Sequence, residues 1–140
     1  ASVIFHAFNQ INATDGMKLF RSHNPQYKDG EQTRDFIYVK DLLKMLEFLR
    51  LESPKSGLYN IGTGDARTLL DLTKATFKAM EKEENISFID TPEDIRDKYQ
   101  YFTEANMSKL REAGYSEKFY TLEDGVMAYV QNYLQPNKEY

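Results

Sequence analysis

The sequence predicts a mixed architecture of helices and short strands, α/β or α+β in class, with about five helices in a single domain. Three observations carry this expectation. Apolar residues recur at helical spacing in separate stretches along the chain. Between them lie short runs rich in aromatic and β-branched residues, which read as strands. The composition, 140 residues with 41% apolar and 29% charged, is that of one ordinary globular domain able to bury about two-thirds of its unfolded surface.

The elements follow in order. Val3, Ile4, Ala7, Phe8 and Ile11 share one helical face. Little capping context precedes them and no methionine opens the chain, so this helix is read as entered mid-protein. The polar stretch from Asn12 to Gly16 ends it, and Met17 to Phe20 is a short strand. Arg21 to Gln32, with Pro25 and the pair Asp29-Gly30, is a surface loop or hairpin tip. Arg34 to Val39 alternates and reads as a strand. Asp41 caps a helix through about Leu51, with Leu42, Met45, Leu46 and Leu49 on one face. After a turn at Glu52 to Gly57, Leu58 to Ile61 reads as a buried strand. Thr68 caps a helix with the stripe Leu69, Leu72, Phe77 and Met80, and Asp71 three residues on completes a variant capping box. Ile86 to Ile89 is a strand, Asp90 to Gln100 is irregular, and Ala105 to Ala113 is a short helix stopped by Gly114. Thr121 caps a last helix, Leu122 to Leu134, with Val126, Val130, Tyr133 and Leu134 inward and Pro136 at its end.

Composition also excludes functions. The formal charge of −4 argues against a nucleic-acid partner, which favours a basic face. Without cysteine there is no disulfide, thiolate nucleophile or cysteine metal site. His6 and His23 stand far apart, and no residues have metal-ligand spacing. No apolar run approaches a membrane span, and no basic-then-apolar leader is present. The expectation is a soluble, cytoplasmic protein with no membrane partner.

Few residues invite chemistry. Gly62-Thr63-Gly64 supplies the first two glycines of a dinucleotide fingerprint, but Arg67 occupies the third position, where bulk blocks helix–strand packing. It reads as a structural turn, with phosphate binding the lesser alternative. Ser22, His23 and Asp35 could be drawn as a triad, yet no nucleophile elbow accompanies them. Arg34 follows a polar loop at a strand edge, where its guanidinium can grip a diphosphate with two parallel hydrogen bonds. The alternative is a salt bridge to Asp35 or Glu31.

The stretch Thr33-Arg34-Asp35-Phe36-Ile37-Tyr38-Val39-Lys40-Asp41, followed by Gly57-Leu58-Tyr59-Asn60-Ile61-Gly62-Thr63-Gly64, resembles the C-terminal part of the extended short-chain dehydrogenase/reductase family. Its NAD-dependent epimerases and dehydratases act on nucleotide-linked sugars. Ala1-Ser2-Val3-Ile4-Phe5-His6, Lys18-Leu19-Phe20, Tyr99-Gln100-x-Phe102-Thr103 and Leu110-Arg111-x-Ala113-Gly114-Tyr115 carry the resemblance nearly end to end. The tyrosine-glutamine piece narrows it to one kind of epimerase.

The resemblance implies that residues 1–140 form a single C-terminal substrate-binding domain, without the Rossmann half that carries NADP in the whole enzyme. The implied partners are a nucleotide-sugar substrate and that missing half, with homo-oligomerisation left open. The family's hydride chemistry uses a Tyr-x-x-x-Lys pair. None of the ten tyrosines has a lysine four residues on; Tyr115 has Lys118 at three. The chain is therefore expected to hold no catalytic, cofactor-binding or metal-binding residue and to be inactive alone. Carried over residue by residue, His6 matches a substrate-contacting histidine, against the reading of an ordinary structural one. Phe20 matches the segment lining a nucleoside pocket, against a core role. Arg21, Ser22 and His23 stand where the family reads Glu-Gly-Ser. Arg34 matches the arginine on the nucleotide diphosphate. Tyr99 matches a tyrosine that reaches substrate, against a half-buried loop aromatic.

Overall fold

A computed structural model describes residues 2–137. Ala1, which opens one of the family-like pieces, lies outside the described residues. The elements are α1 (Val3–Thr14), β1 (Met17–Phe20), β2 (Thr33–Arg34), α2 (Val39–Glu52), β3 (Arg67–Thr68), α3 (Leu69–Ala79), β4 (Ile86–Ile89), α4 (Glu93–Arg96), α5 (Ser108–Glu112) and α6 (Leu122–Tyr129). A π-helical turn, Val130–Leu134, continues α6. This is the mixed class that alternating helical and strand patterns imply.

Helix α3 organises the larger core. Its N-cap Thr68 accepts a hydrogen bond from the amide of Asp71 at 2.9 Å, which satisfies a free donor of the first turn. Ala75, Phe77 and Ala79 are buried among Ala7 and Ile11 of α1, Met17 and Leu19 of β1, and Val126 and Val130 of the last helix. Thr73 and Thr76 are buried too, because each hydroxyl donates back to a carbonyl of its own helix, Leu69 and Leu72, at 2.8 Å. Strand β1 pairs with β4 in parallel, Met17 with Ile86 through Phe20 with Ile89. On its other edge the amide of Lys18 donates to Oε1 of Gln10 in α1 at 2.6 Å.

A second, smaller core lies around Met45 of α2, Met107, Leu110 of α5 and Tyr115, with Ile37, Phe48, Leu49 and Ile61 packed against it. Strands β2 and β3 pair antiparallel, Thr33 with Thr68 and Arg34 with Arg67. Thr33 also donates to the carbonyl of Tyr101 at 2.8 Å and accepts from the amide of Thr103 at 3.2 Å, the two bonds a parallel neighbour makes. Residues 101–103 thus extend this small sheet.

Several expectations are corrected. Helix α1 has a cap after all: the Ser2 side chain accepts from the Phe5 amide at 3.2 Å. It runs on to Thr14 and closes at Asp15 in the left-handed region. The expected strand from Arg34 to Val39 shrinks to Thr33–Arg34, because beyond Arg34 no partner strand offers hydrogen bonds. Leu58 to Ile61 is neither strand nor uniformly buried, and Leu58 is 92% exposed. Helix α2 starts earlier, with Tyr38 at its N-cap position and no capping bond from that side chain to the first turn. Asp41 sits in its first turn, where its buried carboxylate accepts from the amide of Tyr120 at 2.8 Å. On α2 the inward face holds Met45, Phe48 and Leu49, while Leu46 is exposed. The helix expected from Ala105 is confined to Ser108–Glu112. Within the stretch read as irregular, Glu93–Arg96 forms a helical turn.

Candidate functional site

The end of β1, the end of β2 and the extended segment around Tyr99 meet at one rim. Along that segment Tyr99 and Tyr101 are two residues apart, so both rings can fall on one side of extended backbone. The Phe20 ring meets Tyr99 edge-on with centroids 6.0 Å apart. Tyr99 meets Tyr101 edge-on at 5.3 Å, and Tyr101 stacks on Tyr27 of the 21–32 loop at 5.3 Å. Such pairings suit ring quadrupoles and contribute about 0.5–1.5 kcal/mol each beyond burial.

Arg34 lies against this cluster, its guanidinium 5.7 Å from the centre of the Tyr99 ring. Nη1 donates to the carbonyl of Thr33 at 2.8 Å, and Nη2 donates to the carbonyl of Gln100. Neither Asp35 nor Glu31 pairs with it, nor does any other carboxylate among the described residues. A guanidinium carries five N–H donors, so three stay available after those two bonds. Across the ladder stands Arg67, a like charge that destabilises a bare cross-strand pair. Arg67 is neutralised by Glu123 at 2.5 Å and Asp71 at 3.4 Å; Arg34 keeps its charge. A half-buried, fixed and uncompensated guanidinium beside aromatic rings is suited to an anion attached to a flat ring system.

Gln32, 1% exposed, donates from Nε2 to the hydroxyl of Tyr99 at 3.0 Å. It escaped the sequence reading because the bond spans 67 residues of chain. Tyr101 was missed as well, although the alternation of Tyr99 with Tyr101 was there to be read.

The other sequence candidates divide. Arg21 is beside the cluster but forms an exposed ion pair with Asp90 at 3.3 Å. The Ser22 hydroxyl donates to the carbonyl of Asn24 at 2.9 Å. His23 is exposed, and its amide donates to the Tyr101 hydroxyl at 2.8 Å. The amides of Arg21 and Ser22 are also occupied, by the carbonyl of Ile89 and the carboxylate of Asp29 at 2.7 Å each. His6 is exposed on α1, edge-on to Phe5 at 6.0 Å, and makes no contact with the cluster. Ser22, His23 and Asp35 do not assemble into a triad.

Asp35 instead fills the glycine-rich turn. Its carboxylate accepts from the amides of Thr63 at 2.9 Å, Gly64 at 2.9 Å and Ala105 at 3.0 Å, and from the Thr63 hydroxyl. Burial opposes its ionisation, but the hydrogen bonds from the Thr63 hydroxyl and those three amides prevail and hold it below its ordinary value. A Cβ at Gly62 would stand 2.6 Å from Asp35 Oδ2. The turn is already occupied by the chain's own anion, so these residues do not fit a dinucleotide diphosphate. Among the described residues no cluster of His, Cys, Asp or Glu could hold a metal, and no helix is long and apolar enough to cross a membrane.

Comparison with known proteins adds a second line. Residues 1–62 match the model of the NAD dependent epimerase/dehydratase family. The whole chain is 47% identical to a protein of Fusobacterium nucleatum subsp. nucleatum named ADP-L-glycero-D-manno-heptose-6-epimerase, covering 44% of that relative. Over 95% of its length it is 52% identical to a protein of the same name from Nitratidesulfovibrio vulgaris, covering 41% of it. The chain thus spans less than half the length of these relatives. Among solved structures, the ADP-L-glycero-D-manno-heptose-6-epimerase of Helicobacter pylori superposes with a TM-score of 0.73 at 23% identity, over 94% of this chain and 37% of that one. A UDP-N-acetylglucosamine 4-epimerase of Methanobrevibacter ruminantium superposes with a TM-score of 0.75 at 22% identity, over 97% of this chain and 40% of that one. At such identities the two structures show a shared fold.

Proposed function

We propose that the chain belongs to the NAD dependent epimerase/dehydratase family and that residues 1–140 are the substrate-binding domain of a nucleotide-sugar epimerase acting on an ADP-linked heptose. One observation carries the reading: Arg34, uncompensated and fixed by two carbonyls, faces the cluster of Phe20, Tyr99 and Tyr101. Its remaining N–H groups grip the diphosphate, and the rings supply apolar surface for the nucleoside or sugar. Holding both ends of the ligand fixes the position of the reacting carbon, which is a large part of what an enzyme contributes to rate. The reaction served is inversion at C6″ of ADP-glycero-manno-heptose for lipopolysaccharide core synthesis, in the cytoplasm, with NADP as the cofactor of the whole protein.

The dinucleotide has no place in this chain, since the glycine-rich turn is closed by Asp35 and no Tyr-x-x-x-Lys pair exists. Residues outside the chain hold it and move the hydride, and the chain alone is inactive. Calorimetric titrations with NADP⁺ and ADP-heptose, together with a turnover assay, test this. We expect no turnover and no NADP⁺ affinity in the micromolar range. Either result in the other direction overturns the assignment of this chain as a substrate domain alone.

A further inference from the structure

The backbone and side chain of Gln32 do different work. Its carbonyl accepts from the amide of Leu69 at 3.1 Å, which pins the residue to the start of α3. Its side-chain Nε2 donates to the Tyr99 hydroxyl at 3.0 Å, while Oε1 is buried with no partner among the described residues. A phenol that accepts a hydrogen bond on one side keeps its own proton for another direction. Phe20 and Tyr101 pack near-perpendicular to the ring and Arg34 lies over it, which restrains the ring in this orientation. We propose that Gln32 is a positioning residue, which sets the Tyr99 hydroxyl as a hydrogen-bond donor directed at a nucleotide-sugar ligand. The inference rests on the site reading given above and adds the residue that orients it.

Stability alone does not account for a glutamine here. A buried amide with one end unsatisfied is a poor stabiliser: replacing it by an apolar group of similar shape gives up one neutral hydrogen bond and removes one orphaned acceptor, so the two changes largely offset. Gln32→Met is therefore expected to melt close to the wild type, and its loss to appear in ligand binding.

The test uses the intact protein that contains this chain and ADP-heptose as the probe, with affinity measured by calorimetry and KM and kcat by turnover. Gln32→Met and Tyr99→Phe are each expected to weaken binding roughly three- to tenfold, the worth of one neutral hydrogen bond. The double variant should be no weaker than either single one, since both remove the same contact. KM should rise with kcat unchanged, as for an interaction made equally in ground and transition states. Gln32→Glu can only accept, so it draws the phenol proton inward and should match Tyr99→Phe. Additive losses in the double variant, full affinity in Gln32→Met, or full affinity in Gln32→Glu would each overturn the proposal. Arg34→Lys is the control. If it loses affinity while the Gln32 and Tyr99 variants do not, the positioning role fails and the site stands. If it also keeps full affinity, the site reading itself fails.

Discussion

At the scale of single residues, Arg34 and Asp35 are neighbours with opposite duties. Arg34 lies over the Tyr99 ring and Asp35 is held in the glycine-rich turn. Replacing Arg34 by lysine removes the planar, paired donor geometry, so ADP-sugar binding in the intact protein should weaken by about 1.5–3 kcal/mol. The fold loses only part of two carbonyl contacts, and its melting free energy should fall by no more than about 1.5 kcal/mol. An unchanged KM with a large drop in melting temperature would mark Arg34 as structural. Asp35→Asn should behave in the opposite way. The amide nitrogen would face N–H donors from Thr63 and Gly64, so we expect a loss of about 2 kcal/mol or more in chemical denaturation. The sign with pH follows from its lowered folded pKa. Its contribution is complete above the unfolded value near 3.8 and is lost as pH falls through the folded value, so the gap between wild type and Asp35→Asn should close in acid. The place of Arg34 at a strand edge was legible, because a polar loop gives way to an apolar run just there. The role of Asp35 was not, because its partners lie 28 to 70 residues away and are mostly backbone amides, which leave no trace in side-chain pattern.

At the scale of elements, caps were legible where a threonine opens a helix, while the Ser2 cap was missed and Asp41 proved to be a first-turn residue. Thr68 and Thr121 each accept from the amide three residues on, at 2.9 and 3.1 Å, where a local rule puts them. Thr68→Ala should cost about 1 kcal/mol in urea unfolding, and Thr68→Ser should restore most of it; equal losses in both would show that the methyl matters more than the oxygen. Strands were less legible, and for a physical reason. Alternation states that a segment could pair, but pairing needs a neighbour. Met17–Phe20 and Ile86–Ile89 find each other in parallel. Asp35 to Val39 finds no ladder, and Leu58, 92% exposed, has nothing to cover it. Helix α2 shows the same dependence on context: its leucine pattern suits either of two faces, and the small core took Phe48 rather than Leu46.

At the scale of the whole molecule, the chain divides its interior between a larger core around Phe77 and a smaller one around Met45. Phe77→Ala should cost about 3–5 kcal/mol and Met45→Ala about 2–5 kcal/mol in chemical denaturation. Because the two side chains belong to separate clusters, the double variant should lose their sum within about 0.5 kcal/mol; a large deviation would show that the cores are coupled. Such a two-core plan is invisible to periodicity, which marks buried faces but not which faces meet. One small contact on the larger core's sheet bears on how copies of the chain behave together. In the two-stranded β1–β4 pair, Met17 and Arg21 donate inward toward β4, which turns the Lys18 amide outward. That amide is an open template for a strand from another molecule, and the Gln10 side chain occupies it. Helix α1 thus acts as a stopper on the sheet's free edge, and Gln10→Ala would be the change that unblocks it, seen as concentration-dependent light scattering in a protein whose helix content is unchanged.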